Sequence, residues 1–120
     1  MGRREVPYQR EIARGALMAE LVVTDSAAYD LLEIIDIILL AAGVGVATKW
    51  QSRFDTKMQQ LAIHPFCGTS RPEYGPDIRI EGVFAYLLFH TATIETVIIL
   101  RVIDGRRNVS IRPRPQAGPA

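Results

Sequence analysis

The stretch from Phe84 to Asn108 constrains the fold most. Two apolar runs rich in β-branched and aromatic residues, Phe84–Phe89 and Thr96–Ile103, flank a polar connection, His90–Glu95. That composition predicts an antiparallel hairpin closed by a loop of about four to five residues. In the second run, apolar residues occupy both parities, at Val97 and Ile99 and also at Ile98, Leu100 and Val102. Such a strand is covered on both faces, so it belongs in the middle of its sheet. It ends in Asp104-Gly105-Arg106-Arg107, which sets two guanidinium groups at the mouth of an apolar core. The upstream chain has to supply the layer that covers this hairpin.

That layer reads as two helices. Glu20–Val23 is a short strand, and Thr24, Asp25 and Ser26 are all good N-caps for a helix starting there. Leu31, Ile34, Ile35, Ile38 and Ala42 recur at helical spacing, with Asp30, Glu33 and Asp36 marking the wet side. The helix is expected to stop near Gly43 and Gly45. A second one runs from about Val46 to Ile63, carries Trp50, Phe54, Met58 and Leu61 on one stripe, and is closed by Pro65. A short connection of this kind makes an αα-hairpin. Three prolines and two glycines make 64–77 a turn-rich loop, Ile78–Glu81 a short strand, and Gly82 a break before the hairpin. The order is β-α-α-β-β-β. The expected class is α+β, a helical hairpin packed on a small, mainly antiparallel, twisted sheet.

The ends read differently from this domain, which is assigned to 18–109. Residues 1–17 lack periodicity and are rich in arginine, so they read as a disordered extension, with folding beginning at about Met18 and Met18 itself a candidate start. The competing reading is a helix from Tyr8 to Ala16 packed on the domain. Residues 110–120 hold three prolines and few apolar groups, a composition for a disordered or extended tail.

Cys67 is the single cysteine, which excludes an internal disulfide and offers no metal set. No cofactor motif is present, and the cytoplasm is the expected location. The most apolar run, Leu31–Ala47, is too short to span a bilayer and contains Glu33 and Asp36. The net charge of +1 conceals an uneven distribution, +2 over residues 1–17, −5 over 18–100 and +4 over 101–120. Arginine outnumbers lysine twelve to two, which reads either as planar recognition of phosphate or carboxylate or as a compositional bias. Leu32, Leu39 and Leu40 add an apolar surplus to the outer face of the first helix, a docking surface for another chain in preference to a helix buried on most sides. Trp50 and Phe54 are assigned to the core. Arg101 is structural. Arg106 and Arg107 contact an acidic partner or phosphate, or else are strand-end charges paired with Asp104 or Glu95.

From about Leu21 to Asn108 the chain resembles the RelE/ParE superfamily of toxins, and the ParE branch most closely. Four segments carry the resemblance in order. TDSAAYDLLEIIDII is similar to the strand-to-helix entry, and FDTKMQQLAIHPFCG to the end of the second helix with its Pro65–Gly68 turn. RPEYGPDIRI is similar to the loop feeding the next strand, with Arg71 and Arg79 matching. YLLFHTATIETVIILRVIDGRRN resembles the terminal hairpin with its closing arginine signature. Asp104 stands where the branch usually has His, Asn108 where it often has Asp, and Thr69 where Arg commonly follows the turn glycine. His90 also replaces the branch's usual residue.

The resemblance implies the toxin of a type II toxin–antitoxin system, neutralised by a cognate antitoxin and directed at DNA gyrase, with DNA touched only through the antitoxin. It implies target contacts at Arg71, Arg79, Arg106 and Arg107, and antitoxin contacts at Leu32, Leu39 and Leu40. The alternatives are a ribosome-dependent mRNA endoribonuclease of the RelE type, in which Arg79, Arg106 and Arg107 would hold the phosphate, and a decayed toxin kept as a binding module. Cleavage by 2′-OH attack needs groups to take and give a proton. His64 reads as a helix-end residue, His90 as a strand-end residue, and nothing after Asn108 is Tyr or His. A non-enzymatic inhibitor is therefore the favoured reading.

Overall fold

The computed structural model describes residues 3–5 and 18–106. Its elements are β1 (Arg3–Glu5), β2 (Glu20–Thr24), α1 (Asp25–Ala42), α2 (Val44–Ile63), β3 (Thr69–Ser70), β4 (Arg79–Val83), β5 (Tyr86–Ala92) and β6 (Thr96–Asp104), with a 3₁₀ turn at Pro72–Tyr74. The strands form one mixed sheet in the order β1-β2-β6-β5-β4-β3. All neighbours are antiparallel except β2 and β6, whose crossover connection runs through the helical hairpin and β3, β4 and β5. The α+β class and the central place of the last strand are as the sequence predicts. Arg3–Glu5 pairs with Val22–Thr24 and covers the far edge of β2. The rest of the expected extension, including the alternative helix at Tyr8–Ala16, and the tail at 110–120 lie outside the described residues.

Three local expectations need correction. The break between the helices is one residue, Gly43, whose φ of 92° is open to glycine and strained for other residues. It terminates α1 and precedes α2, so α2 starts two residues earlier than Val46. The β5–β6 connection is 93–95, shorter than expected, because the Thr93 hydroxyl accepts from the Glu95 and Thr96 amides and tightens the turn. His90 therefore lies inside β5, fully buried, and not at a strand end. At the other end of β5, Phe84 is not a strand residue. It occupies the first position of the two-residue β4–β5 turn, with φ of 57°.

The apolar residues on both parities of β6 have two causes. One face of the sheet packs against the helices, where Val97, Ile99 and Val102 join Phe54, Met58 and Leu61. The opposite face carries a smaller cluster of Ile78, Ile80 and Phe89, against which Leu100 and Ile103 pack and where Tyr74 meets Phe89 edge-on at 5.3 Å. The second cause is a β-bulge. Phe89 pairs with Arg101 but His90 pairs with Ile99, so Leu100 is an extra residue and the inward phase shifts from 97 and 99 to 102.

α1 is anchored on that bulge. The Thr24 hydroxyl accepts from the Ala27 amide as the helix N-cap and donates to the Leu100 carbonyl at 3.1 Å. Asp30, expected on the wet side, is 5% exposed. Its carboxylate accepts two bonds from the Arg101 guanidinium, at 2.6 and 2.9 Å, and one from the Val102 amide at 2.9 Å. A carboxylate can be withdrawn from water when it is paired and multiply hydrogen-bonded in this way. Arg101 is structural, as expected, and this is its role.

Candidate functional site

α1 has the composition of a buried helix and the exposure of a surface one. Of its 18 residues only Ala27 and Asp30 are buried. Tyr29, Leu32, Leu39 and Leu40 recur close to helical spacing on the outer face at 64%, 61%, 40% and 88% exposure. Ile37 and, across the Gly43 break, Val44 are exposed as well. The cause is the reach of the hairpin. Packing on the sheet involves the first turns of α1 and the last turns of α2, and every residue from 39 to 46 is exposed. The three leucines singled out in the sequence all lie on this surface.

Among the described residues the candidate basic side chains form no single patch. Arg79 donates to the carbonyls of Cys67 and Gly68, at 3.3 and 3.2 Å, and so closes the turn before β3. Gly68 must be glycine there, since a Cβ would lie 2.8 Å from the Ile80 carbonyl oxygen and its φ is 94°. Arg71 is bonded to Glu73 at 2.7 Å and lies over the Tyr74 ring. Arg106 curls back onto Asp104, which accepts from its amide at 3.0 Å and from its guanidinium at 2.9 and 2.7 Å. Hydrogen bonding to these carboxylates raises the affinity of Arg71 and Arg106 for their protons and lowers that of Glu73. Arg107 lies outside the described residues. Arg79 pairs with His90, while Asp104 pairs with Tyr86, four residues back along β5. The two ends of the set are thus about 13 Å apart along the strands. The structure brings Arg71 and Arg79 to one end of the sheet and Arg106 to the other.

A polar cluster lies where the end of α2 and the 65–68 turn meet β4 and β5. Lys57 binds Glu81 at 3.2 Å, and the Cys67 thiol donates to the other Glu81 oxygen at 2.9 Å. Burial, followed by the hydrogen bond to Glu81, pushes the Cys67 thiol up to about 11, so it is protonated at neutral pH and a poor nucleophile. Burial alone would push the Glu81 carboxyl up, but its bonds from Cys67 and Lys57 outweigh that and lower it. His90 sits beneath the turn with neither ring nitrogen in a hydrogen bond, and burial lowers its proton affinity despite the nearby Pro65 and Cys67 carbonyls. Among the described residues no group of His, Cys, Asp and Glu converges as a metal site. The chemistry available here is structural.

Sequence reasoning placed Trp50 in the core and passed over Arg53 and Phe84. Trp50 is half-buried and packs edge-on against Phe84 at 5.4 Å, while the Arg53 guanidinium lies 4.8 Å from the Trp50 ring centre and 4.4 Å from that of Phe84. The spacing of Trp50 and Arg53, three apart on a helix, was a visible signal for half of this arrangement. Phe84 was not, because it reads as the first residue of a strand.

Comparison with known proteins gives one consistent result. Residues 21–109 match the family described as the ParE toxin of type II toxin–antitoxin system, parDE. Toxin ParE3 of Caulobacter vibrioides is 31% identical over 68 residues, which cover 57% of this chain and 68% of that protein. The solved structure of a chromosomal ParDE toxin–antitoxin system from P. aeruginosa superimposes with a TM-score of 0.61 at 23% identity, over 73% of this chain and 96% of the other.

Proposed function

This chain belongs to the ParE toxin family of type II toxin–antitoxin systems, and from that premise we propose that it inhibits DNA gyrase in the cytoplasm and is neutralised by a cognate antitoxin seated on α1. The observation that carries the antitoxin seat is the exposed stripe of Tyr29, Leu32, Leu39 and Leu40. A row of apolar side chains at helical spacing suits an amphipathic segment of a partner. No helix among the described residues is long and apolar enough to cross a membrane, so the stripe is not explained as part of a membrane span.

Two observations favour an inhibitor over a ribonuclease. His90 is fully buried, and the Cys67 thiol, pushed up to about 11, stays protonated, so neither is a ready base at neutral pH. Arg71 and Arg79 at one end of the sheet and Arg106 at the other serve as target contacts in this reading, with Arg107 next to Arg106 in sequence, and the working unit is 18–109. The full chain should inhibit gyrase supercoiling in vitro, and its expression should arrest growth with a DNA-damage response that the antitoxin relieves. Codon-specific mRNA cuts with gyrase unaffected would replace this reading with the RelE-type one.

A second reading, a disarmed toxin kept as a binding module, draws on the clamp that Asp104 places on Arg106. Asp104→His, alone or with Thr69→Arg, then raises toxicity. Unchanged toxicity in both variants removes that reading.

A further inference from the structure

On the side of the sheet remote from β1, β4 is only partly covered. β3 pairs with Arg79 and Ile80 alone, which leaves Glu81–Val83 without a neighbouring strand on that edge among the described residues. Because Val83 and Tyr86 close a two-residue turn, alternation along the ladder directs the amide and carbonyl of Gly82 away from β5. A Cβ built on Gly82 would meet nothing within 4 Å, so the sheet face at this edge residue is open. The edge forms one wall of a groove of about 410 Å³ whose other wall is α2, where Ser52, Thr56 and Gln60 fall at one-turn intervals.

The electrostatics of the groove are one-sided. Lys57 is neutralised by Glu81. Arg53 has no carboxylate partner among the described residues, and its guanidinium rests against both the Trp50 and Phe84 rings, which touch each other edge-on. Phe84 is 73% exposed and carries a φ of 57°, a conformation rare for a bulky side chain. Glycine or asparagine would suit that turn position better. The chain thus accepts local strain and an exposed aromatic ring where the ring fixes Arg53 beside an open strand edge.

We propose that the groove between α2 and the uncovered edge of β4 docks an extended acidic segment of another protein, which adds as a strand beside Gly82 and sets a carboxylate on Arg53. Strand addition supplies main-chain hydrogen bonds, and a pocketed charge supplies selectivity. A peptide satisfies both walls. A nucleic acid would need several phosphate contacts and has no use for a strand edge, and the lining residues offer it Arg53 alone as an uncommitted cation. The site shares no residue with the α1 stripe and stands whether or not the antitoxin reading holds.

The test titrates the ¹⁵N-labelled full chain with two capped peptides, Thr-Val-Glu-Val-Thr and Thr-Val-Gln-Val-Thr, and with oligothymidylate. The Glu peptide should move the Gly82 and Val83 amide resonances and the Trp50 indole, and bind about tenfold more tightly than the Gln peptide. Arg53→Gln should abolish that preference. Phe84→Gly removes the ring and relieves the turn, so its Tm should hold or rise while Glu-peptide binding falls about fivefold. The proposal is overturned if the Gly82 amide does not move, if the two peptides bind alike, or if oligothymidylate moves the same resonances more strongly than the Glu peptide. Shifts at these amides that track protein concentration without peptide would assign the groove to a second copy and overturn it too.

Discussion

The two helices differ in opposite senses by composition and by use. α1 is much the more apolar, yet only Ala27 and Asp30 are buried. α2 is nearly balanced between apolar and polar residues, yet buries Ala47, Phe54, Met58, Leu61 and Ala62. α2 therefore buries more of its own side chains, with an ordinary amphipathic stripe. α1 is held by Ala27, Leu31, Ile34 and Ile35 at the core and by two polar anchors, Thr24 and Asp30, and leaves Leu32, Leu39 and Leu40 in water. Apolar content beyond what a fold buries marks a surface meant for something else.

That contrast can be broken most severely on α2. Phe54 is 1% exposed in the middle of the main cluster, and Phe54→Ala should lower unfolding stability by about 3–5 kcal/mol, read by denaturant titration. Asp30→Ala comes next. It removes the carboxylate that binds the Arg101 guanidinium at two points and accepts from the Val102 amide, at a cost of about 3 kcal/mol, and Asp30→Ala combined with Arg101→Leu should destabilise by less than the sum of the two single changes.

A smaller effect comes from pH at the end of α2. Burial holds His90 below the ordinary histidine value of 6.5, so the unfolded chain takes up a proton that the folded chain resists. Its contribution to stability is whole above 6.5 and declines as the pH falls from there to the lower folded value. A Tm-against-pH curve for the parent should bend downward below 6.5, and the same curve for His90→Leu should be flatter across that window. The least effect on folding belongs to the α1 stripe. Leu40→Asp at 88% exposure should change stability by less than about 0.5 kcal/mol while weakening antitoxin binding. Global unfolding of that variant would place Leu40 in the core and erase the contrast between the helices.

The architecture was legible where local pattern sufficed. Leu31, Ile34 and Ile35 do face the core cluster, Gly43 does end α1, and β6 is central as its apolar run requires. Leu32, Leu39 and Leu40 were legible because a helix in a two-layer domain has only one covered side. What escaped depended on partners distant in sequence. Asp30 looks like any solvated carboxylate until β6 arrives with Arg101, and a bulge at Leu100 has no signature in a run of β-branched residues. β3 is too short to show periodicity, and its brevity is what leaves the edge at Gly82 open. The separation of Arg79 from Arg106 arises from strand register, which the residues do not display individually.

Asp30 and Arg101 are 71 positions apart in the chain, yet neither can be altered alone without breaking a two-point ion pair that joins α1 to β6. A hydrophobe at 30 removes the carboxylate that holds the guanidinium at two points, and a hydrophobe at 101 removes two of the donors to that carboxylate. The two codons are thereby tied into one heritable unit. Among descendants of this gene they should be kept together or exchanged together, and a lineage that has lost one should have lost the other.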